Sequence, residues 1–479
     1  MRARRRAAVL AVAALVGVPA PVEAQPGARL WVARYDGPGH FLDVANDIAV
    51  SPDGATVFVT GLSDGRGGSS RYQLFWADYA TIAYDAATGS MRWVRRYDGP
   101  GMGWDNSNAL TVSPDGSRVY VSGGSKGSDT GRDYATIAYD AATGARLWLA
   151  RYDGPAHLLD SARSVVVTPE GSQVVVSGWS LDGYTHEGNR RNVYATVAYD
   201  ALTGEELWVS QTDLSGEANY LWNSTVLPEG NAVVVTGWGD AQGTPAAAET
   251  VAYDATTGSE LWSVRAEGVA AGYAVAASAA GGALFVTGPA SDGFGTIAYD
   301  PASGAELWRA TLDGADYGEA YGVAVSPDGS SVYVTGNVVW REQKGCPRDD
   351  YTTVAYDADT GEEKWVSRYN GPGHGFDWAQ AVATSPDGSI VYVTGESAGV
   401  GSVFGCERGE PRTGQDFATV AYDASTGQQL WAERYDSAKQ GQYDSAHALA
   451  VGPEGTVYVT GESHGGGYRD YATIVYSVT

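Results

Sequence analysis

The chain predicts an all-β ring of eight four-stranded blades, a β-propeller, and three observations lead there. Eight tryptophans, Trp31, Trp93, Trp148, Trp208, Trp262, Trp308, Trp365 and Trp431, recur at spacings of 46 to 66 residues. The last seven close a near-identical phrase of the type A-Y-D-A-x-T-G-x-x-x-W. This period is too long for ankyrin or tetratricopeptide units and suits a four-stranded blade with loops of variable length. Within each period, β-branched and aromatic residues form short runs broken by Pro, Asp and Gly, the pattern of strands joined by tight turns. Finally, the two ends of the chain each hold a piece of one further repeat.

Residues 377 to 431 show the unit. DWAQAVATS reads as strand A and ends in the turn Pro386-Asp387-Gly388; SIVYVTG reads as strand B and ends at Gly395. After a long Gly-rich loop, DFATVAYD reads as strand C, and the turn Ala424 to Gly427 leads into strand D, QQLWAERYD. Residues 25 to 35 contain only a strand D, whereas residues 444 to 476 contain only strands A, B and C. Pairing these ends completes an eighth blade and removes the exposed sheet edges that invite aggregation. A second pattern agrees. Asp78, Asp133, Asp350 and Asp416 open strand C, and Arg96, Arg151, Arg368 and Arg434 follow the next tryptophan by three residues, placing them nearly opposite in the C-D hairpin. Asp470 lacks such an arginine downstream, and Arg34 supplies it from the first strand. Arg265, opposite Ala247, is the exception.

The N-terminus reads as a secretory signal: Arg2, Arg4, Arg5 and Arg6, an apolar run from Ala7 to Val18, and Val22-Glu23-Ala24 as the cleavage site. The expected organisation is a signal peptide over 1–24 and one propeller over 25–479, exported and monomeric, with no membrane span. A formal net charge of −26 makes nucleic acid and anionic lipid poor partners. Cys346 and Cys406 occupy equivalent B-C loops of adjacent blades, and export makes a disulfide between them the expectation.

The phrase Ala83, Asp85, Gly89, Trp93, with its copies through Ala421, Asp423, Gly427 and Trp431, resembles the tryptophan-docking motif of the pyrroloquinoline quinone (PQQ)-like propellers. The resemblance covers nearly all of residues 28 to 476. It implies eight blades with each indole wedged between neighbours, an arrangement suited to a large apolar ring with one N–H to satisfy. Stretches such as D-x-A-x-A-V-A-x-S-P-D-G-x-x-V-Y-V-T-G also look like short β-propeller repeats of bacterial secreted proteins. Members of the PQQ-like family include quinoprotein dehydrogenases, an outer-membrane assembly lipoprotein and uncharacterised exported proteins, so the resemblance implies a fold and not a function. The adjacent cysteines of the alcohol dehydrogenase branch are absent, as is a Cys-x-x-Cys-His haem motif.

Repetition sorts the remaining residues. Asp43, Asp105, Asp160, Asp377 and Asp444 open strand A in five blades, and recurrence marks them as loop caps in preference to metal ligands. His40, His157 and His374 follow repeated Gly-Pro segments and read as turn residues. No metal site and no catalytic set is expected: there is no His-Glu-x-x-His, and no Gly-x-Ser-x-Gly stands out as a nucleophile elbow. By contrast, the B-C and D-A connections are long and variable. Trp76, Trp104, Trp179, Trp222, Trp238, Trp340 and Trp378 fall on or near that face, where they either bind a ligand or pack the loops. Three residues after the repeated strand-A aspartate position the blades present Asn46, Asn108, Arg163, Trp222, Ala274, Tyr321, Gln380 and His447. Strand A is innermost, so these side chains are expected to surround the channel mouth, as a ligand site or as channel filling. The expected function is a secreted binding or interaction module for a protein, carbohydrate or small-molecule ligand, with no cofactor. The alternatives are a dehydrogenase using PQQ with calcium, or another channel-mouth enzyme, and a structural cell-surface protein.

Overall fold

In a computed structural model the described residues are 25–65, 76–184, 188–214, 218–240, 245–340, 349–400, 414–437, 442–465 and 467–478. The expected signal segment and both cysteines of the expected Cys346–Cys406 bridge lie outside them. The described chain forms eight four-stranded sheets, all antiparallel and without an α-helix. Counting from strand A to strand D, blade 1 spans residues 43–97, blade 2 106–152, blade 3 160–212, blade 4 218–266, blade 5 274–311, blade 6 315–369 and blade 7 377–435. Blade 8 takes strands A to C from residues 444–476 and strand D from Arg29–Tyr35. Its closing pair is antiparallel, with Arg34 opposite Ala472, and Gly27 N and Ser477 N extend the ladder. Among the described residues no helix is long and apolar enough to cross a membrane.

The docking phrase works through three contacts. Within the turn, Asp85 Oδ1 accepts from Thr88 N at 3.0 Å and from Thr88 Oγ1 at 2.8 Å, an Asx-type closure repeated from blade to blade. The indole N–H of Trp31, Trp93, Trp148, Trp208, Trp262, Trp308 and Trp365 then donates to the residue after the next blade's aspartate. Trp31 Nε1 reaches Ala86 O at 2.9 Å, Trp93 Nε1 reaches Ala141 O at 3.0 Å and Trp365 Nε1 reaches Ala424 O at 2.9 Å. Finally, the ring lies against the turn glycine. Gly144 has φ 68°, and a Cβ there would stand 2.7 Å from the Trp93 ring, so backbone conformation and space both require glycine. At the seam the partner of Trp431 is Gly27, which shows that the N-terminal segment supplies the missing part of the eighth docking unit.

The hydrophobic core accordingly lies between blades. One cluster joins Phe58, Tyr79 and Trp93 of blade 1 to Val119, Ile137 and Tyr139 of blade 2. Buried tyrosines form a second interlock: Tyr79 OH donates to Ala135 O at 3.2 Å, Tyr134 OH to Ala195 O at 3.1 Å, and Tyr471 OH to Ala80 O at 3.1 Å across the seam.

Arg34 Nη2 stands 3.1 Å from Asp470 Oδ2, and Arg96, Arg151 and Arg434 reach Asp78, Asp133 and Asp416 at 2.8, 2.8 and 2.6 Å. The near opposition is diagonal: Arg96 is opposite Ala80 and reaches Asp78 two residues along strand C. Arg265 is not an exception; it is directly opposite Glu249 and bonds to it. Arg368 lies 3.3 Å from the centroid of the Trp340 ring.

Candidate functional site

The eight A strands contact one another in a closed ring around the axis. Each carries a bulge at one equivalent position, with a second register shift in blade 6 between Ala315 and Tyr317, and a bulge re-aims the side chain it carries. In blade 1, Ala45 pairs with Gly61 and Asp47 with Thr60, leaving Asn46 unpaired. The same skip falls on Asn108, Arg163, Trp222, Tyr321, Gln380 and His447. The repeated glycine of strand B makes room for it: a Cβ at Gly61 would stand 1.9 Å from Val44 O, and one at Gly461 1.9 Å from Ser445 O.

In blade 5 the structure corrects the sequence alignment. A Cβ at Gly288 would meet Ala271 O at 1.7 Å, so Ala271 holds the place of Val44 and the bulged residue is Tyr273, not Ala274. Tyr273 N donates to Thr287 O while Ala274 pairs with Thr287, the two-against-one count of a bulge. Blade 5 lacks the repeated aspartate from which the offset was counted, which moved the expected position by one residue.

The bulged side chains form two arcs. Arg163 lies 5.1 Å over the Trp222 ring, Trp222 meets Tyr273 edge-on at 5.7 Å, and Tyr273 stacks on Tyr321 at 5.5 Å with 4° between planes. Trp222 is 37% exposed. The other arc is polar. Asn46 Nδ2 donates to Asn106 Oδ1 and Ser107 O, both at 2.8 Å, and Asn108 Nδ2 to Ala162 O at 2.6 Å. His447 Nδ1 is 2.9 Å from Ala45 O; a carbonyl can only accept, so this nitrogen carries the proton. Burial lowers the pKa of His447 and holds the ring neutral. Gln380 occupies the bulge of blade 7. Thus seven of the eight sequence-assigned positions lie on one ring of bulges, and Tyr273 replaces the eighth.

One rung toward the loops lies a second variable layer. It includes Leu62, Trp179, Trp238, Asn337, Glu396 and Glu462, each following the repeated strand-B glycine. In the aromatic arc Tyr220 stacks on Trp238 at 5.3 Å and meets Trp179 edge-on at 5.6 Å. In the polar arc Tyr443 OH donates to Glu396, and Arg469 Nη1 stands 2.5 Å from Glu462 Oε1. Burial raises the pKa of both glutamates, offset in part by these partners. Between the arcs, Asp349 Oδ2 accepts from Asn337 Nδ2 at 2.9 Å and from Trp378 Nε1 at 2.8 Å, and Tyr321 OH donates to Glu319. Trp179 and Trp238 of this layer were expected on or near the loop-rich face; Leu62, Asn337, Glu396 and Glu462 were not singled out, although variation beside a repeated glycine was an available signal.

A family model described as "Outer membrane protein assembly factor BamB" matches residues 17–237 and 246–465. The chain belongs to that family of PQQ-type repeat propellers. Comparison with curated proteins gives no significant match. Among solved structures, Chaetomium thermophilum Sqt1 bound to the N-terminus of ribosomal protein L10 is 12% identical at TM-score 0.56, covering 94% of this chain and 100% of that one. Quinohemoprotein alcohol dehydrogenase from Comamonas testosteroni is 14% identical at TM-score 0.55, covering 94% and 76%. BamB from Moraxella catarrhalis is 15% identical at TM-score 0.49, covering 94% and 99%. At these identities the likeness concerns the fold.

Of the cations near the mouth of this PQQ-type propeller, Arg469 is held by Glu462, Arg163 is stacked on Trp222 with its buried Nε unpartnered, and Arg132 lies 5.9 Å from the centroid of the Trp104 ring. The carboxylates of Glu319, Glu396 and Asp349 stand within a rung or two of the bulges and make the mouth more negative. On the opposite face, shallow grooves such as that lined by Pro52, Asp53, Arg92 and Gly116 are built from turns that the blades repeat, and so belong to packing. His40, His157 and His374 have φ of 52°, 55° and 46°; their Nδ1 atoms lie 2.7, 2.6 and 3.2 Å from Asp36, Asp153 and Asn370. The strand-A aspartates cap the loops before them: Asp43 Oδ2 accepts from Gly37 N at 2.8 Å and Asp160 Oδ2 from Gly154 N at 2.8 Å.

Proposed function

We propose that the protein is an exported ligand-binding module whose site is the bulge-lined channel mouth, and that its ligand is a carbohydrate. The observation that supports this most directly is the run Arg163, Trp222, Tyr273 and Tyr321, in which aromatic faces are aligned beside hydrogen-bonding side chains. Flat apolar ring faces receive the C–H face of a sugar, and amides and carboxylates one step away receive its hydroxyls. The net charge of −26 and the glutamates around the mouth favour a neutral or cationic ligand over an anionic one. The N-terminal arginines and apolar run support export.

The test begins with a glycan array on the purified chain, followed by calorimetry with each oligosaccharide retained. Trp222→Ala and Tyr273→Ala are expected to abolish binding and leave the melting temperature nearly unchanged. Absence of any glycan binding, or binding that survives both substitutions, overturns the reading. A peptide ligand is the competing class and is checked by capture of basic peptides. A dehydrogenase reading predicts retained quinone absorbance and dye reduction after incubation with PQQ and calcium. N-terminal sequencing of the exported form should begin at Gln25.

A further inference from the structure

Four junctions between blades, outside the channel mouth, gather three aspartates each. In each group one carboxylate oxygen per residue lies within 4.8 Å of the other two. At the junction of blades 2 and 3 the group is Asp133 from strand C, Asp153 from the D-A loop and Asp160 from the next strand A. Each residue uses one oxygen elsewhere. Asp133 Oδ2 accepts from Arg151 Nη2 at 2.8 Å and Thr130 Oγ1 at 2.9 Å, Asp153 Oδ2 meets His157 Nδ1 at 2.6 Å, and Asp160 Oδ2 accepts from Gly154 N at 2.8 Å. The remaining Oδ1 atoms of all three are buried and have no hydrogen-bond partner. Asp133 and Asp160 are only 3% and 0% exposed as residues. One such oxygen, Asp43 Oδ1 or Asp416 Oδ1, is present in each of two other groups, whereas in the group at blades 1 and 2 both oxygens of Asp105 accept backbone N–H groups, from Gly99 and Lys126.

A buried acceptor without a donor costs free energy, and three adjacent ones call for a shared partner. Three carboxylates against one guanidinium also leave a local charge of about −2, the charge a divalent cation balances. The donor set is all oxygen, which selects a hard cation. Oxygens up to 4.8 Å apart fit on one calcium coordination sphere, whose radius is about 2.3 to 2.6 Å, better than on the tighter sphere of magnesium. The cradle also needs Gly154, where a Cβ would stand 2.9 Å from Asp160 Oδ1.

We propose that the three junctions with an unpartnered buried oxygen, those of blades 2 and 3, 7 and 8, and 8 and 1, each hold one calcium ion, ligated by three aspartates drawn from two neighbouring blades, so that the ions tie the blades together. The junction of blades 6 and 7 has Asp350 and Asp377 but carries Asn370 where the others carry the loop aspartate.

The full chain, stripped with chelator and dialysed, is titrated with calcium chloride by calorimetry, and bound metal is counted by atomic emission. Three ions per chain are expected, with a rise in melting temperature of several degrees that magnesium chloride does not reproduce. Asp153→Asn should lower the count to two and Asn370→Asp should raise it to four. Asp36→Asn repeats the loss at the seam, where the Asp36 side chain is 46% exposed and a folding defect is least expected. No bound calcium, or a count that both losses leave unchanged, overturns the proposal. A count unmoved by Asn370→Asp overturns the claim that three carboxylates at such a junction suffice.

Discussion

Blades 7, 8, 1, 2 and 3 differ from blades 4, 5 and 6 in a way that only the bulge register makes visible. The first five open strand A with an aspartate, and their bulges carry Gln380, His447, Asn46, Asn108 and Arg163. At the equivalent opening positions the other three have Asn219, Ala270 and Gly318, and their bulges carry Trp222, Tyr273 and Tyr321. One arc is therefore charged at its junctions and polar at its mouth, and the other is uncharged at those junction positions and aromatic at its mouth. Both keep the same docking indoles and the same strand-B glycines. Repetition thus reports what holds the ring together, and departure from repetition reports where a ligand could be recognised.

The largest expected effect tests what the two arcs share. Deleting residues 25–36 removes strand D of blade 8, Gly27 under Trp431 and Arg34 against Asp470, and should give aggregation or loss of a single cooperative melt. A soluble monomer with unchanged melting would show that closure is not needed. Next, Trp262→Ala in the aromatic arc and Trp93→Ala in the polar arc should each cost about 3 to 5 kcal/mol in denaturant unfolding, because both indoles fill equivalent blade interfaces. A large inequality would mean that the arcs differ in packing and not only at their mouths.

Smaller effects separate the arcs. Tyr273→Ala should remove ligand binding while changing stability by about 1 kcal/mol or less, whereas Ala274→Ser, the position the sequence offset indicated, should leave binding intact. Equal losses for the two would return the site to the uncorrected register. Last comes the pH response of the polar arc. His447 has its pKa lowered by burial, so the unfolded chain takes up a proton more readily than the folded one. The neutral ring carries no penalty above about pH 6.5, and stability should fall as pH drops below that value. His447→Gln should flatten this part of a melting temperature profile; an unchanged profile would place the titration elsewhere.

Much of this was legible in the residues. The period of the tryptophans, the Asp-Thr-Gly turns and the split repeat specify eight blades and their seam, because each is a local requirement repeated until chance is excluded. The mouth was legible only where the repeat stayed in register. Tyr273 was missed because blade 5 lacks the aspartate used for counting, and beside the strand-B glycine only Trp179 and Trp238 were noticed, because the other residues there share no type that repeats. The grouping of strand-C, loop and strand-A aspartates was equally hidden: Asp133 and Asp160 are separated by a whole strand and loop in the chain and meet only between blades.

The sequence by itself determined the class of fold, the number of blades, the docking residues and the closing strand, since these follow from short-range pattern and from the need to leave no sheet edge unpaired. Tertiary structure alone decided which side chains share a space. A bulge shifts the register by one residue without any change of composition, and a blade junction joins segments that are distant in the chain. Those two geometric facts set the aromatic arc at the mouth and the aspartates between the blades.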